Sequence, residues 1–372
     1  MKISTQKPEL QAALQKLSKA TPARSTIPIL SSVLFQVDEK ETTLRTTDLE
    51  ITISLKLAAS IERQGTVCLP LQTLLSLTSE MPDDARITIS AKDEDKIEIK
   101  TNVGAYDIVG KPADDFPATP EIDNRKSITL DGPVLNELIN KTTFAVSKDE
   151  LKPALSGVLF RFEKEKTTAV ATDGHRLVKY VKTREGSEKF TGDIIIPRKF
   201  LSLVSNLLPG VEEAQIWVGE NHMTMAFGGD VYYTRIIGER FPDYDGVIPK
   251  DNDKELTINR ENILSAVRRV SVFSNRSTQQ IALVLTGGKV QITTEDPEKS
   301  SKGKEELKGQ YKGEDLTIGY NAAYLKDILS HLPSEEITIK LKTAISAALF
   351  FPEKQDKNEN LTMLLMPIRL ND

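Results

Sequence analysis

Three stretches of this chain repeat one another, and that repetition constrains the fold more than any single motif. Leu69-Pro70-Leu71-Gln72-Thr73-Leu74-Leu75-Ser76-Leu77-Thr78-Ser79-Glu80-Met81-Pro82 lies without a gap over Ile196-Pro197-Arg198-Lys199-Phe200-Leu201-Ser202-Leu203-Val204-Ser205-Asn206-Leu207-Leu208-Pro209. Residues 320–333 lie over both. Apolar residues share the columns Leu74/Leu201/Leu325, Leu77/Val204/Ile328 and Met81/Leu208/Leu332, and each copy stops at a proline, the expected helix terminator. The spacing predicts three equivalent helices. A second motif repeats beside them: Pro28-Ile29-Leu30-Ser31-Ser32-Val33-Leu34-Phe35 with Thr46-Thr47-Asp48-Leu49-Glu50 matches Pro153-Ala154-Leu155-Ser156-Gly157-Val158-Leu159-Phe160 with Ala171-Thr172-Asp173-Gly174-His175. Ile281 to Leu285 followed by Thr293-Thr294-Glu295-Asp296-Pro297 is a fainter third copy. A period this long far exceeds the roughly 20–50 residues of a solenoid unit, so whole domains are repeated.

Each repeat carries a second helix near its start, read from i, i+3, i+4, i+7 spacing: Leu10, Ala13, Leu14 and Leu17; Leu135, Leu138, Ile139 and Thr142; Ile263, Val267 and Val270. Alternating strands follow at equivalent places, such as 86–89, 215–218 and 336–339. Two helices on antiparallel sheet make each repeat α+β. Proline-containing linkers at 114–120 and 240–244 place the domains at 1–122, 123–248 and 249–372. The Glu- and Lys-rich stretch 296–312 reads as a solvated loop.

Composition excludes several classes. No apolar run approaches a membrane span, and Met1-Lys2-Ile3-Ser4-Thr5-Gln6-Lys7 lacks the apolar core of a signal peptide, so a cytoplasmic protein with no membrane partner is expected. The single cysteine, Cys68, allows neither an internal disulfide nor a thiolate metal cluster and reads as a buried structural thiol. A formal net charge of −5 argues against a protein held on nucleic acid by bulk electrostatics.

Three tandem repeats with Thr172-Asp173-Gly174-His175-Arg176-Leu177 in the second, Phe241-Pro242-Asp243-Tyr244 at its end, and the terminus Met366-Pro367-Ile368-Arg369-Leu370 closely resemble the bacterial replicative sliding clamps, the beta subunits of DNA polymerase III. The resemblance spans the chain. It implies three DNA-clamp domains of the processivity fold. Two chains would join head to tail as a homodimeric ring around double-stranded DNA, with helices lining the hole and antiparallel sheets outside. It also implies a non-catalytic processivity factor of the DNA polymerase III holoenzyme, needing no cofactor or metal.

Basic residues recur on helical faces within this acidic chain. With Leu10, Ala13, Leu14 and Leu17 facing the core, Ala12, Gln15, Lys16 and Lys19 turn the other way. The second repeat presents Asn140, Lys141, Lys148, Arg198 and Lys199, and the third Arg268 and Arg269. The DNA-contact set is Arg24, which aligns with a family contact, with Lys148, Lys152, Arg198 and Lys199. Gln72 stands where relatives can carry a basic residue, and Asp149, Pro153 and Ala154 replace polar or aromatic residues used elsewhere. No base-reading motif is present, which fits sequence-independent holding.

The resemblance further implies a groove for short peptides from the DNA polymerase III alpha subunit, the clamp loader complex and other proteins carrying a clamp-binding motif. Its residues here are Leu155, Thr172, Gly174, His175, Arg176, Leu177, Pro242, Val247, Ile345, Ser346, Leu364, Met366, Pro367, Ile368, Arg369 and Leu370. Leu155, Leu177, Val247, Leu364, Met366 and Ile368 would supply apolar wall, Gly174 close backbone approach, and His175 and Arg176 a polar rim. The extension Asn371-Asp372 would add negative charge beside it. An apolar seam of Tyr106 and Ile108 against Val272 and Phe273 is expected to close the dimer.

Two rival readings differ in class. An enzyme built on Asp173, His175 and Arg176 lacks support elsewhere: His175, His222 and His331 fall at nonequivalent places without metal-ligand spacing, and there is no phosphate loop or nucleophile elbow. An open three-domain scaffold without topological DNA linkage differs from a ring only in assembly state.

Overall fold

The computed structural model describes residues 1–22, 24–93, 96–119, 126–183 and 190–370. By its internal contacts the chain forms two compact units, residues 1–133 with 206–236, and residues 134–205 with 237–372. The middle repeat is therefore shared between them.

Six helices stand at the expected places among the described residues: α1 (Lys7–Leu17), α2 (Leu71–Ser79), α3 (Gly132–Asn140), α4 (Arg198–Ser205), α5 (Arg260–Val270) and α6 (Ala322–His331). Pro8 opens α1, where its missing N–H costs nothing. Asn259 and Asn321 cap α5 and α6 by accepting from the amides of Asn262 and of Ala323 and Tyr324. Leu10, Ala13, Leu14 and Leu17 are all buried, as their spacing requires. Four helices end earlier than expected: Met81 lies beyond α2, Leu208 beyond α4 and Leu332 beyond α6, each short of its proline, and Thr142 lies beyond α3 although it shares its apolar spacing. All four are nevertheless buried, because the chain turns while the apolar column continues into the core.

In the first unit an eight-stranded antiparallel sheet runs in the order 126–131, 213–218, 222–227, 230–235, 51–57, 42–47, 32–37, 65–70. Beside it, 60–63, 2–6, 86–93, 96–100 and 105–108 form a five-stranded sheet. In the second unit a nine-stranded sheet runs 192–197, 157–162, 166–172, 176–183, 359–365, 348–352, 336–341, 254–259, 309–312, and 301–307, 289–296, 280–286 and 316–321 form a four-stranded one.

Two strand pairs in these large sheets are the same junction made twice. Strand 51–57 of the first repeat pairs with 230–235 of the second, Ile51 opposite Thr234 and Ile53 opposite Tyr232. Strand 176–183 of the second repeat pairs with 359–365 of the third, Arg176 opposite Leu365 and Leu177 opposite Leu364. The remaining members of the series are 105–108 in the first repeat and 301–307 in the third, and each is the last strand of its sheet.

One expectation is overturned here. The stretch 296–312 is not a loop: Ser301–Leu307 pairs with Lys289–Asp296 in unbroken register and Gly309–Lys312 pairs with Lys254–Asn259. As edge strands they carry too little apolar alternation to reveal them: in 301–307 Lys302, Lys304 and Glu306 share one face, and the other holds only Leu307 as an apolar side chain. Cys68 is fully buried in Gly65–Pro70, and burial pushes its thiol up to about 12. No helix among the described residues is long and apolar enough to cross a membrane.

Candidate functional site

The expected groove residues all fall within the second unit and gather around the junction of strands 176–183 and 359–365. Beneath them lies a core of Leu159, Val170, Leu177, Ile195, Phe241, Tyr244, Leu349 and Leu364, against which Leu155, Ile248 and Ala347 pack half-buried. Leu177 and Leu364 therefore form floor, not open wall as expected: opposed in register, they are 2% and 3% exposed. The exposed apolar groups are Val247, Ile345 and Met366. Pro242 and Arg369 are exposed, and Ser346, Pro367, Ile368 and Leu370 are half-buried.

A tight turn supplies the polar end. The hydroxyl of Thr172 donates to the carbonyl of Arg176 at 2.7 Å and accepts from the amide of Gly174 at 3.1 Å. Asp173 Oδ1 accepts from the amides of His175 and Arg176 at 2.9 and 3.0 Å, so it serves the backbone and not the His175 ring. That leaves the Asp–His pair an enzyme would need unmade. Gly174 sits at φ +92 with nothing within 4 Å of the place a Cβ would take, an open and conformationally demanding position.

The first repeat builds the same turn with other side chains. Thr47 donates to the carbonyl of Ile51, and Asp48 Oδ1 accepts from the amides of Glu50 and Ile51. Leu49 holds the left-handed place at φ 76.

Arg176 corrects the reading of a polar rim. It is 6% exposed, because the carboxylates of Asp173 and Asp327, at 3.1 and 2.6 Å, and the carbonyl of Phe144, at 2.9 Å, meet its guanidinium. The rings of Phe144 and Tyr324 lie beside it, 5.4 and 4.8 Å from centroid to Cζ. His175 is exposed and stacks on Tyr324 at 5.7 Å, while His331 stacks on Phe144 at 3.7 Å. Burial, with Asp173 nearby, holds the Tyr324 hydroxyl above its ordinary pKa. Sequence reasoning missed Phe144, Tyr324 and Asp327. Tyr324 shares a helical column with the buried Phe200, so the pattern marks it as core.

The C-terminal tail crosses this region as backbone. Met366 donates its N–H to the carbonyl of His175, and Ile368 bridges Gly319, donating to its carbonyl at 2.9 Å. A Cβ on Gly319 would stand 2.6 Å from the Ile368 carbonyl oxygen, so glycine is required for the tail to lie there. Asn371 and Asp372 lie outside the described residues.

The basic residues divide. Arg24, Lys148, Lys152 and Lys199 are exposed and Arg198 is half-buried. Lys152 has Asp149 at 3.8 Å. Lys16 and Lys141, expected on the same faces, are committed within the fold: Lys16 to Asp230 at 2.6 Å, Lys141 to the Tyr180 hydroxyl at 3.1 Å and Glu359 at 3.5 Å. Arg269 makes a bidentate pair with Glu305. Tyr106, Val272 and Phe273 are exposed, 37%, 77% and 45%, and Ile108 is half-buried. Among the described residues no cluster of His, Cys, Asp and Glu is arranged to hold a metal.

Three domain models of one family match the chain in order: the N-terminal domain of the DNA polymerase III beta subunit over residues 1–120, its central domain over 129–243 and its C-terminal domain over 245–369. The chain belongs to the DNA polymerase III beta subunit family. Beta sliding clamps of Pseudomonas putida and Proteus mirabilis are 29% and 30% identical over 372 and 351 residues, covering 100% and 93% of this chain and 100% and 95% of theirs. The Pseudomonas aeruginosa sliding clamp bound to griselimycin superposes with a TM-score of 0.93 at 28% identity, and the C. crescentus beta sliding clamp with 0.94 at 29%, each covering 100% of both chains. The expected architecture of three α+β clamp domains holds, and with it the function of a sliding clamp.

Proposed function

We propose that this beta subunit works as a ring-shaped homodimer that encircles duplex DNA without reading its sequence, tethering the replicative polymerase for processive synthesis. The observation that carries the reading is the repeated junction. It is made twice within the chain, and at each end of the series one strand, 105–108 or 301–307, keeps an open outer edge. Pairing those edges between two chains, head to tail, gives six repeats closed by six like junctions, with no member of the series left without its partner. The exposed Tyr106, Val272 and Phe273, with Ile108, add an apolar seam beside that pairing. The same unpaired edges favour the ring over an open scaffold.

Attachment by linkage explains a clamp with net charge −5. A protein gripping phosphates loses affinity with a log-log salt slope of about −0.9 per phosphate neutralised, whereas a closed ring leaves only by opening or by reaching a DNA end. Arg24, Lys148, Lys152, Arg198 and Lys199 then guide the duplex and need not grip it. The protein acts in the cytoplasm as a non-catalytic member of the DNA polymerase III holoenzyme, with domains at 1–122, 123–248 and 249–372. Around Met366, Val247 and Ile345 the exposed apolar groups receive short peptides from the alpha subunit, the clamp loader and other partners. Loading on nicked circular and on linear DNA, followed by a high-salt wash, tests the ring. Retention on the circle with loss from the linear form is expected, and equal loss from both overturns it.

A further inference from the structure

We propose that Asp327, on α6, is a positioning residue for the peptide groove, acting through Arg176; the proposal rests on the groove reading above. The contacts form a single path. Asp327 accepts from Arg176 Nη1 at 2.6 Å, Arg176 Nε donates to Asp173 at 3.1 Å, and Asp173 holds the amide of His175 at 2.9 Å. The carbonyl of His175 in turn accepts from Met366 at 2.8 Å. Asp173 belongs to the turn and travels with it. Asp327 instead stands on a helix anchored by the buried Leu325, Ile328 and Leu329, so it ties the turn to the third repeat.

The first repeat shows what this tether is not for. There the turn is built by Thr47 and Asp48 with Ile51 in the place of Arg176, so neither the arginine nor its pairing is needed to form it. A buried arginine is costly unless its charge is met, and truncating one partner loosens what the other holds. In the second repeat that dependence fixes His175 against Tyr324 and the tail at Met366. Asp327 itself is half exposed, which makes its replacement tolerable to the fold.

The test is calorimetric titration of the full-length chain with a peptide copying the C-terminal segment of the DNA polymerase III alpha subunit. Asp327→Ala is expected to lose about tenfold in affinity, the size expected when an interaction of ordinary strength is lost. Asp327→Asn, which keeps the shape and an acceptor, should lose less. In an Arg176→Ile background, Asp327→Ala should cause no further loss, a signature that a merely structural role would not produce. Wild-type affinity in Asp327→Ala while Met366→Ala binds weakly would overturn the positioning role and leave the groove reading standing. A second full loss in the Arg176→Ile background would overturn it too, since Asp327 would then act by another route. A wild-type chain that fails to bind the peptide refutes the groove reading, and this assignment with it.

Discussion

Met366 donates its backbone N–H to the carbonyl of His175 at 2.8 Å, joining the start of the C-terminal tail to the turn at 173–175. Arg235 makes the matching bond to Glu50 at 3.1 Å in the other junction. The backbone device is common to both, and the side chains around it are not. Glycine, histidine and methionine in one place face leucine, glutamate and arginine in the other. Specialisation of the second junction is thus a matter of side chains laid on an unchanged frame.

Met366, 43% exposed beside the floor of Leu177 and Leu364, is a suitable anchor for an incoming apolar side chain. Met366→Ala should weaken binding of an alpha-subunit tail peptide by about 1–3 kcal/mol, in the range of interface hot spots, and leave the dimer intact. Titration calorimetry with parallel mass measurement checks both halves, and unchanged affinity refutes the anchor.

Gly319→Ala should displace the tail. A Cβ there meets the Ile368 carbonyl oxygen at 2.6 Å and Leu370 Cδ2 at 2.8 Å, neither of which can yield without moving backbone or a packed side chain. Overpacking of this kind costs about 1–3 kcal/mol. Faster amide exchange confined to 364–370 and weaker peptide binding are the expected result; wild-type exchange rates there would contradict it.

Charged substitution of Phe273, half-exposed beside the edge strand 301–307, should give monomers on a sizing column. Persistent dimers in Phe273→Glu would count against the proposed seam.

Acid sensitivity should trace in part to Glu359. Burial alone would raise its carboxyl, but the hydrogen bond from Tyr180 and the charges of Lys141 and Lys182 outweigh it, and the folded-state pKa lies below 4.5. The folded chain then binds fewer protons at this group than the unfolded chain does. Its stabilisation is complete above pH 4.5 and is lost as pH falls through the lowered value. Urea unfolding across an acidic pH series should show a shallower decline in Glu359→Gln, and identical slopes would remove this group from the account.

Helices and most strands were legible because apolar spacing repeats three times, and each copy corrects the noise of the others. What stayed hidden depends on residues far apart in the chain. Lys16 reads as a free cation until Asp230 is found beside it, and Lys141 until Tyr180 and Glu359 are. Arg176 reads as rim for the same reason, its partners lying on α6 and at Phe144. Strand 301–307 escaped on different grounds, since its inward face is Ser301, Gly303, Glu305 and Leu307, with Gly303 set close against Val270 and Phe273, and that face carries too few apolar side chains to show in the sequence.

That strand's composition has a further effect on the life of the chain. Lys302, Lys304, Glu305 and Glu306 make 301–307 a poor template for arbitrary β-strands, since a stranger must bury or match their charges to pair. Under the proposed head-to-tail pairing, a newly made chain is thereby guarded from runaway sheet growth until the edge strand 105–108 of a second copy meets it.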